Sequence, residues 1–182
     1  MQVYSANNIN EIAFELKNNK AVILPTDTVW GIISLEEKNI YRIKRRSLNK
    51  KIITFINDIK LLNLPPYIEQ VVSKYWPGGL TIIYKQRGYR MPKSKLLLKL
   101  MDMVGPIASS SANISGKQPI NSIDEAKHVF ANREFELVLV ENENFKLSNK
   151  PSTIIDLDKF VVLRSGSIDG QKIIDKIKKG KE

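Results

Sequence analysis

The feature that most constrains this chain is the alternation of short apolar runs with segments of helical periodicity. "AVILP" at 21–25, "IITFI" at 52–56, "GLTIIYK" at 79–85 and "PIASS" at 106–110 read as strands. Between them, "NINEIAFELKNN" places Ile9, Ile12, Ala13 and Leu16 on one helical face. "SLEEKNIYRIKRR" carries Ser34 and Glu37 at capping-box spacing, which predicts a helix starting there. "PYIEQVVSKYW", "KSKLLLKLMDMV" and "SIDEAKHVFA" read as further helices, the last with a capping box from Ser122 to Glu125. "ELVLV", "STIIDL" and "KFVVLRSG" are strand-like, and "GQKIIDKIKK" is helical. Strands and helices mixed at this density give an α/β domain. Consecutive strands towards the end of the chain make the expected sheet mixed rather than purely parallel. The 182 residues fit a single domain spanning 1–182 with a sizeable core.

The charge balance narrows the partners. A formal net charge of +10 favours anionic ligands such as nucleotides or RNA. Lys, Asn and Ile enrichment of the whole chain is a blander source for part of that charge. The chain holds no cysteine, so disulfides, zinc–thiolate sites and a cysteine nucleophile are excluded. The first residues, "MQVYSANNINEIAFELKNN", lack the basic and apolar regions of a signal peptide. No apolar run approaches the ~20 residues of a membrane span. A cytoplasmic protein without membrane contact is the expectation.

Several polar segments follow apolar strands directly: "PTDTVWG", "RIKRRSLNKK", "SSSANISGKQP", "PST" and "RSG". Loops beyond strand ends are where α/β sheets collect ligands, although Ser/Asn/Gly clusters also serve as plain turns. "SGKQ" is not a P-loop, because Ser111 stands at the first glycine position and Gln118 at the Ser/Thr position. Neither G-x-G-x-x-G nor G-x-S-x-G occurs. The one histidine, His128, falls inside a predicted helix, which excludes a Ser–His acyl-transfer site. What remains is a set of Lys, Arg, Ser, Thr and Asn. Such a set suits chemistry at phosphorus, which needs positioning and charge neutralisation more than a protein nucleophile.

Seven motifs, in order, resemble those of the YrdC/Sua5 family of threonylcarbamoyl-AMP synthases. "PTDTVWG" is similar to P-T-E-T-V-Y-G, "KRRSLNKKI" to K-x-R-P-x-x-x-P-L, and "WPGGLT" to W-P-G-P-L-T. "YRMP" resembles V-R-x-P, "SSSANISG" resembles S-A-N-x-S-G, "PSTIIDL" resembles P-S-T-V-V-D, and "VLRSGSI" resembles I-L-R-x-G-x-I. The resemblance implies a twisted mixed sheet flanked by helices, with a basic concave groove. It implies a nucleotidyltransferase (an L-threonylcarbamoyladenylate synthase) that uses L-threonine, bicarbonate and ATP, with Mg²⁺. Its products are threonylcarbamoyl-AMP and pyrophosphate, and the first feeds t6A modification at tRNA position 37. The implied partners are a threonylcarbamoyl transferase complex and, as a further candidate, tRNA.

The resemblance also implies residue roles. Lys44 and Arg46 match the K-x-R pair, a clamp on the triphosphate and on developing charge. Ser111, Asn113 and Arg164 match nucleotide-binding positions, and Thr81 is a weaker match of the same kind. Thr26, Thr28, Arg90, Ser109 and Ser152 match the positions that hold threonine, with Arg90 facing its carboxylate. The motifs mark no metal ligands. Trp30, Trp76 and Pro77 read as packing and turn residues; Arg42, Arg45, Lys50 and Lys51 read as surface charges.

This chain departs from the family pattern at Asp27 (usually Glu), Trp30 (usually Tyr), and Ser47 and Lys51 (usually Pro). Lys93 and Ser94 follow "RMP" where many relatives have a histidine nearby, and Ile120 and Asn121 replace small hydroxyl residues. Two other readings stay open at this point. A non-catalytic RNA-binding module of the same fold would use the charge alone, without hydroxyls at Thr28, Ser111 and Ser152. A carbamoyl transferase for another acceptor would be expected in a larger chain with zinc-binding segments.

Overall fold

The computed structural model describes residues 1–131, 137–141, 147, 148 and 150–181. Ten strands form one mixed sheet: β1 (Gln2–Ser5), β2 (Ala21–Pro25), β3 (Trp30–Ser34), β4 (Ile53–Phe55) and β5 (Leu80–Tyr84), then β6 (Arg87–Arg90), β7 (Ile107–Ser111), β8 (Leu137–Glu141), β9 (Thr153–Asp156) and β10 (Val161–Arg164). The strand order is β1-β8-β2-β3-β7-β4-β6-β5-β9-β10. Parallel pairs (β1 with β8, β2 with β8, β4 with β6, β5 with β9) are interspersed with antiparallel ones. The mixed character therefore runs across the whole sheet and is not confined to β9 and β10.

Six helices pack on the sheet: α1 (Ile9–Lys17), α2 (Glu37–Lys44), α3 (Pro66–Val72), α4 (Lys95–Val104), α5 (Ile123–Phe130) and α6 (Gly170–Lys179). "AVILP" is buried along its length because both faces of β2 are covered. Ala21 and Ile23 pack with Ile40 and Ile43 of α2 and with Phe130 of α5. Val22 and Leu24 point the other way, to Ile12 and Leu16 of α1 and Leu100 of α4. A third cluster joins Leu80 and Ile82 of β5 to Ile155, the α3 residues Ile68 and Val72, and the α6 residues Ile173 and Ile177. Each fully buried Ile or Leu contributes about 1.5–3 kcal/mol.

The expected elements are present, with three further strands and a short 3₁₀ helix (Ile59–Leu62). β1, β3 and β6 were not anticipated. β3 begins inside "PTDTVWG", so Trp30 and Gly31 are strand residues and the polar turn is only residues 26–29. β6 ends on Arg90, whose polar, Gly-containing run gives little strand signal. Glu136, first residue of the expected "ELVLV" strand, lies outside the described residues.

The Ser34 capping box is a correction. α2 starts later, with Glu36 at its N-cap, and Ser34 closes β3. The Ser34 hydroxyl accepts from the Glu36 N–H at 3.3 Å and the Asn39 Nδ2 at 2.9 Å, so pairing with β7 holds Ser34 extended and the cap spacing goes unused. The second box fares better: Ser122 accepts from the Glu125 N–H at 3.1 Å, and Glu125 reaches back to the Asn121 N–H.

One buried carboxylate ties α1 to its surroundings. Glu15 is 5% exposed; it pairs with Lys20 at 2.7 Å and accepts from the Tyr4 hydroxyl at 2.9 Å. The Lys20 contact outweighs burial and holds the Glu15 carboxyl below its ordinary value of 4.5. A lowered folded-state value gives stability that is present above 4.5 and lost as pH falls through the folded value. Thermal melts of wild type and Glu15→Gln are therefore expected to converge on acidification below 4.5, with wild type the more stable at neutral pH. Parallel pH dependence in the two proteins would refute this.

Candidate active site

The floor of a cavity of about 490 Å³ crosses the sheet from the β2–β3 turn to β10. Period-two alternation puts its polar groups there. Thr81 lies between the core residues Leu80 and Ile82 and faces the opposite side, into the cavity. Ile154 does the same beside the buried Ile155. Ser109 and Ser111 come from the end of β7, Arg90 from the end of β6, and Arg164 from the end of β10.

Four cations line this cavity: Arg46, Lys51, Arg90 and Arg164. Among the described lining residues there is no carboxylate. Burial lowers the Arg46, Arg90 and Arg164 guanidinium pKa values, and for Arg164 the charge of Arg90 adds to the effect. An arginine nonetheless stays protonated. Asp27 balances Arg90, and the charge of Arg46, Lys51 and Arg164 makes the cavity a receptor for anions.

Arg90 is the most restrained of the four. It is 3% exposed. Its Nε donates to the Gly78 carbonyl at 3.0 Å, one terminal nitrogen to Thr28 Oγ1 at 2.9 Å, and the other to Asp27 Oδ1 at 2.6 Å. The Phe55 ring lies 5.9 Å from its guanidinium carbon. "WPGG" thus does more than turn the chain, since Gly78 fixes Arg90. Asp27 supplies the countercharge that a buried guanidinium requires. The sequence signal for Asp27 was available: a buried arginine needs an acidic partner. Which acid meets which arginine required the fold.

Thr26 and Thr28 both line the cavity. Thr26 Oγ1 donates to the Val29 carbonyl at 2.7 Å and accepts from the Thr28 N–H at 3.2 Å, so it builds the β2–β3 turn. Thr28 Oγ1 accepts from Arg90 and meets the ligand space. Ser152 is held between Thr81 Oγ1 at 2.8 Å and Arg164, which bonds both its carbonyl and its hydroxyl at 2.9 Å. Ser109 lies on β7, paired to Ile33 and Ile53.

Lys44 and Asn113, both expected at the nucleotide, are not among the residues that line the cavity. Lys44 is fully buried. Its ammonium donates to the Ser111 carbonyl, to the Asn113 carbonyl at 2.9 Å and to Asn113 Oδ1 at 2.8 Å, which uses every donor it has. Burial, then the Arg46 charge, pushes its pKa down to about 7. The Asn113 Nδ2 donates to the Ile114 and Lys117 carbonyls, both at 2.8 Å. Both side chains are spent on the loop behind the cavity wall.

Arg46 does reach the cavity, with Nε and one terminal nitrogen on the Lys50 and Lys51 carbonyls at 2.9 and 3.0 Å. This is how the loop without the family prolines is braced. Lys51, read as a surface charge, lines the cavity and donates to the Gln86 carbonyl at 2.7 Å. Trp30, read as packing, also forms part of the wall. Arg42, Arg45 and Lys50 are exposed and outside the cavity, and His128 is exposed on α5.

The family model Sua5–YciO–YrdC, described as "Telomere recombination", matches residues 15–166. The chain belongs to this family. A "Threonylcarbamoyl-AMP synthase" of Pyrococcus abyssi is 29% identical over 185 residues, covering 87% of this chain and 54% of that protein. "Uncharacterized protein MG259" of Mycoplasma genitalium is 30% identical over 166 residues, 91% of this chain and 36% of that one. This Sua5–YciO–YrdC chain thus spans only about a third to a half of these two relatives. The P. abyssi Sua5 structure complexed with L-threonine superposes with a TM-score of 0.80 at 27% identity, over 97% of this chain and 59% of that one. The likeness is to the twisted mixed sheet and its flanking helices. No helix among the described residues is long and apolar enough to cross a membrane.

Proposed function

We propose that this Sua5–YciO–YrdC chain is a threonylcarbamoyl-AMP synthase, a nucleotidyltransferase acting in the cytoplasm on L-threonine, bicarbonate and ATP. The observation that carries this reading is the cavity itself: four cations and a set of hydroxyls converge there, and no carboxylate does among the described lining residues. The L-threonine bound in P. abyssi Sua5 supports the choice of amino acid. Threonine's amine and bicarbonate give a carbamate and water. A carbamate oxygen then attacks the α-phosphorus, the bond to the bridging oxygen breaks, and pyrophosphate leaves with that electron pair.

The residues divide this work by charge. Arg90, with Thr28 beside it, receives the amino-acid carboxylate through the donors left on its fork. Arg46, Lys51 and Arg164 neutralise the phosphates and the charge that builds on the departing pyrophosphate. Ser152 is oriented by Thr81 and Arg164 to position the reacting groups between them. No protein nucleophile takes part.

Mg²⁺ does not find a protein site here. No group of three or more His, Asp or Glu residues is placed to hold a metal among the described residues, and the cavity wall offers no carboxylate. The ion would enter this cavity only on the triphosphate, whose oxygens would hold it. The product is handed to a transferase complex that modifies adenosine 37 of tRNA. A charge-only RNA-binding role is not favoured, because it would leave the convergent hydroxyls without a purpose.

Pyrophosphate release that needs bicarbonate and L-threonine is expected, together with the threonylcarbamoyl-adenylate mass. Equal stimulation by serine, or by no amino acid, would sink the reading. Arg46→Ala is expected to raise the KM for ATP about 10–100-fold, the loss of one or two charge-assisted contacts. An unchanged KM would remove Arg46 from the nucleotide site.

A further inference from the structure

We propose that Lys44 is a positioning residue that fixes the Ser111 hydroxyl as a hydrogen-bond acceptor towards the cavity, so that Ser111 faces a donor group of the substrates and not a phosphate oxygen. This rests on the synthase reading for what occupies the cavity, and on the network alone for what Lys44 does.

The hydroxyl direction is fixed by elimination. Asn113 Nδ2 has two carbonyl partners, Ile114 and Lys117. The other amide atom, facing Lys44 Nζ, is therefore the oxygen, and an oxygen can only accept. Ser111 Oγ lies 2.6 Å from that same Oδ1, so the hydroxyl hydrogen points to Asn113. The Ser111 lone pairs are left for the cavity that Ser111 lines. A phosphate oxygen there would meet an acceptor. A substrate hydroxyl or amine would meet its complement.

Lys44 holds this arrangement from behind. Its ammonium bonds the Ser111 carbonyl and both oxygens of Asn113, while its own carbonyl accepts from the Ser115 N–H at 2.9 Å. A compact ammonium directs its three donors from a single atom into this small space, which the larger planar fork of a guanidinium cannot reproduce. Arg45 then takes a left-handed conformation, φ 49°, which caps α2 and redirects the chain. Lys44 stays behind the wall and Arg46 emerges in front of it. One side chain thereby sets the register between the serine loop and the basic loop.

The test is a kinetic cycle with Lys44→Met, Ser111→Ala and the double variant, using activity per folded protein. Lys44→Met is expected to lower kcat/KM about 10–100-fold, and the double variant to be no worse than Lys44→Met alone. Lys44→Arg should not rescue. Multiplicative losses would overturn the coupling, and full activity in folded Lys44→Met would reduce Lys44 to a structural role. Pyrophosphate inhibition supplies a second arm. Its Ki should change less than twofold in Ser111→Ala, and a tenfold rise would put Ser111 on phosphate.

Should Lys44→Met fail to fold, acetylation mapping of the wild-type protein decides. Lys44 is expected to stay unmodified with or without ATP, while Lys51 is modified and becomes protected by ATP. Labelling of Lys44 that ATP suppresses would overturn the proposal. Absence of threonine-dependent turnover in wild type would refute the synthase reading alone, since the labelling arm does not depend on it.

Discussion

Arg90→Ala is expected to lower kcat/KM for threonine by about 10²–10³-fold, the loss of a forked, charge-assisted carboxylate contact in a largely buried setting. The guanidinium is held by Gly78, Thr28 and Asp27, so it waits in place before any ligand arrives. Removing it also strands the Asp27 carboxylate, 12% exposed, without its partner. Breaking a buried pair from one side costs about 3 kcal/mol, so a lower melting temperature should accompany the kinetic loss. Two variants separate these effects. Asp27→Asn added to Arg90→Ala should recover stability but not turnover. Arg90→Lys keeps the charge but loses the fork, and should recover only a small part of either. Wild-type kinetics in Arg90→Ala would remove the carboxylate clamp and much of the proposed function with it.

Gly166→Ala is expected to destabilise the protein by about 3 kcal/mol or to prevent folding, the upper part of the range for overpacking. A Cβ at this position would sit 2.3 Å from the Pro151 carbonyl oxygen and 2.5 Å from the Thr153 nitrogen. Both neighbours are backbone, so no rotamer change relieves them. The site suffers too, because Gly166 lets the "RSG" segment lie against "PST". The Gly166 and Ile168 N–H groups both donate to Thr153 Oγ1. Arg164 and Ser152 are coupled across the same approach. Activity should fall with stability, as seen by pairing melts with pyrophosphate release. Gly116→Ala makes a useful contrast: its φ of +86° strains a side chain, but nothing lies within 4 Å of the new Cβ. A smaller loss is expected there. Equal melting temperatures for wild type and Gly166→Ala would refute the packing argument.

The amino-acid pattern set the type of most elements and named the principal polar residues of the cavity. "AVILP" and "GLTIIYK" carry the β-branched and aliphatic residues that fit a buried, pleated surface. The helices show the spacing that a buried face needs. Ordered motifs placed Thr28, Arg46, Arg90, Ser111, Ser152 and Arg164, and all of them line one cavity. Residues next to strand ends keep their place once the strands form, so local signals located them.

Roles that depend on distant neighbours were beyond reach of the pattern. Lys44 looked like a ligand because it matches the first position of the K-x-R pair, but its partners, Ser111 and Asn113, lie far along the chain. Lys51 looked like a surface charge until the sheet placed it beside the cavity. Ser34 had the spacing of a cap, yet pairing of β3 with β7 held it in a strand. Spacing along the chain reports which face a side chain takes. Which cation is exposed to substrate and which is enclosed behind the wall is set by long-range pairing and desolvation, and those exist only after the sheet has assembled.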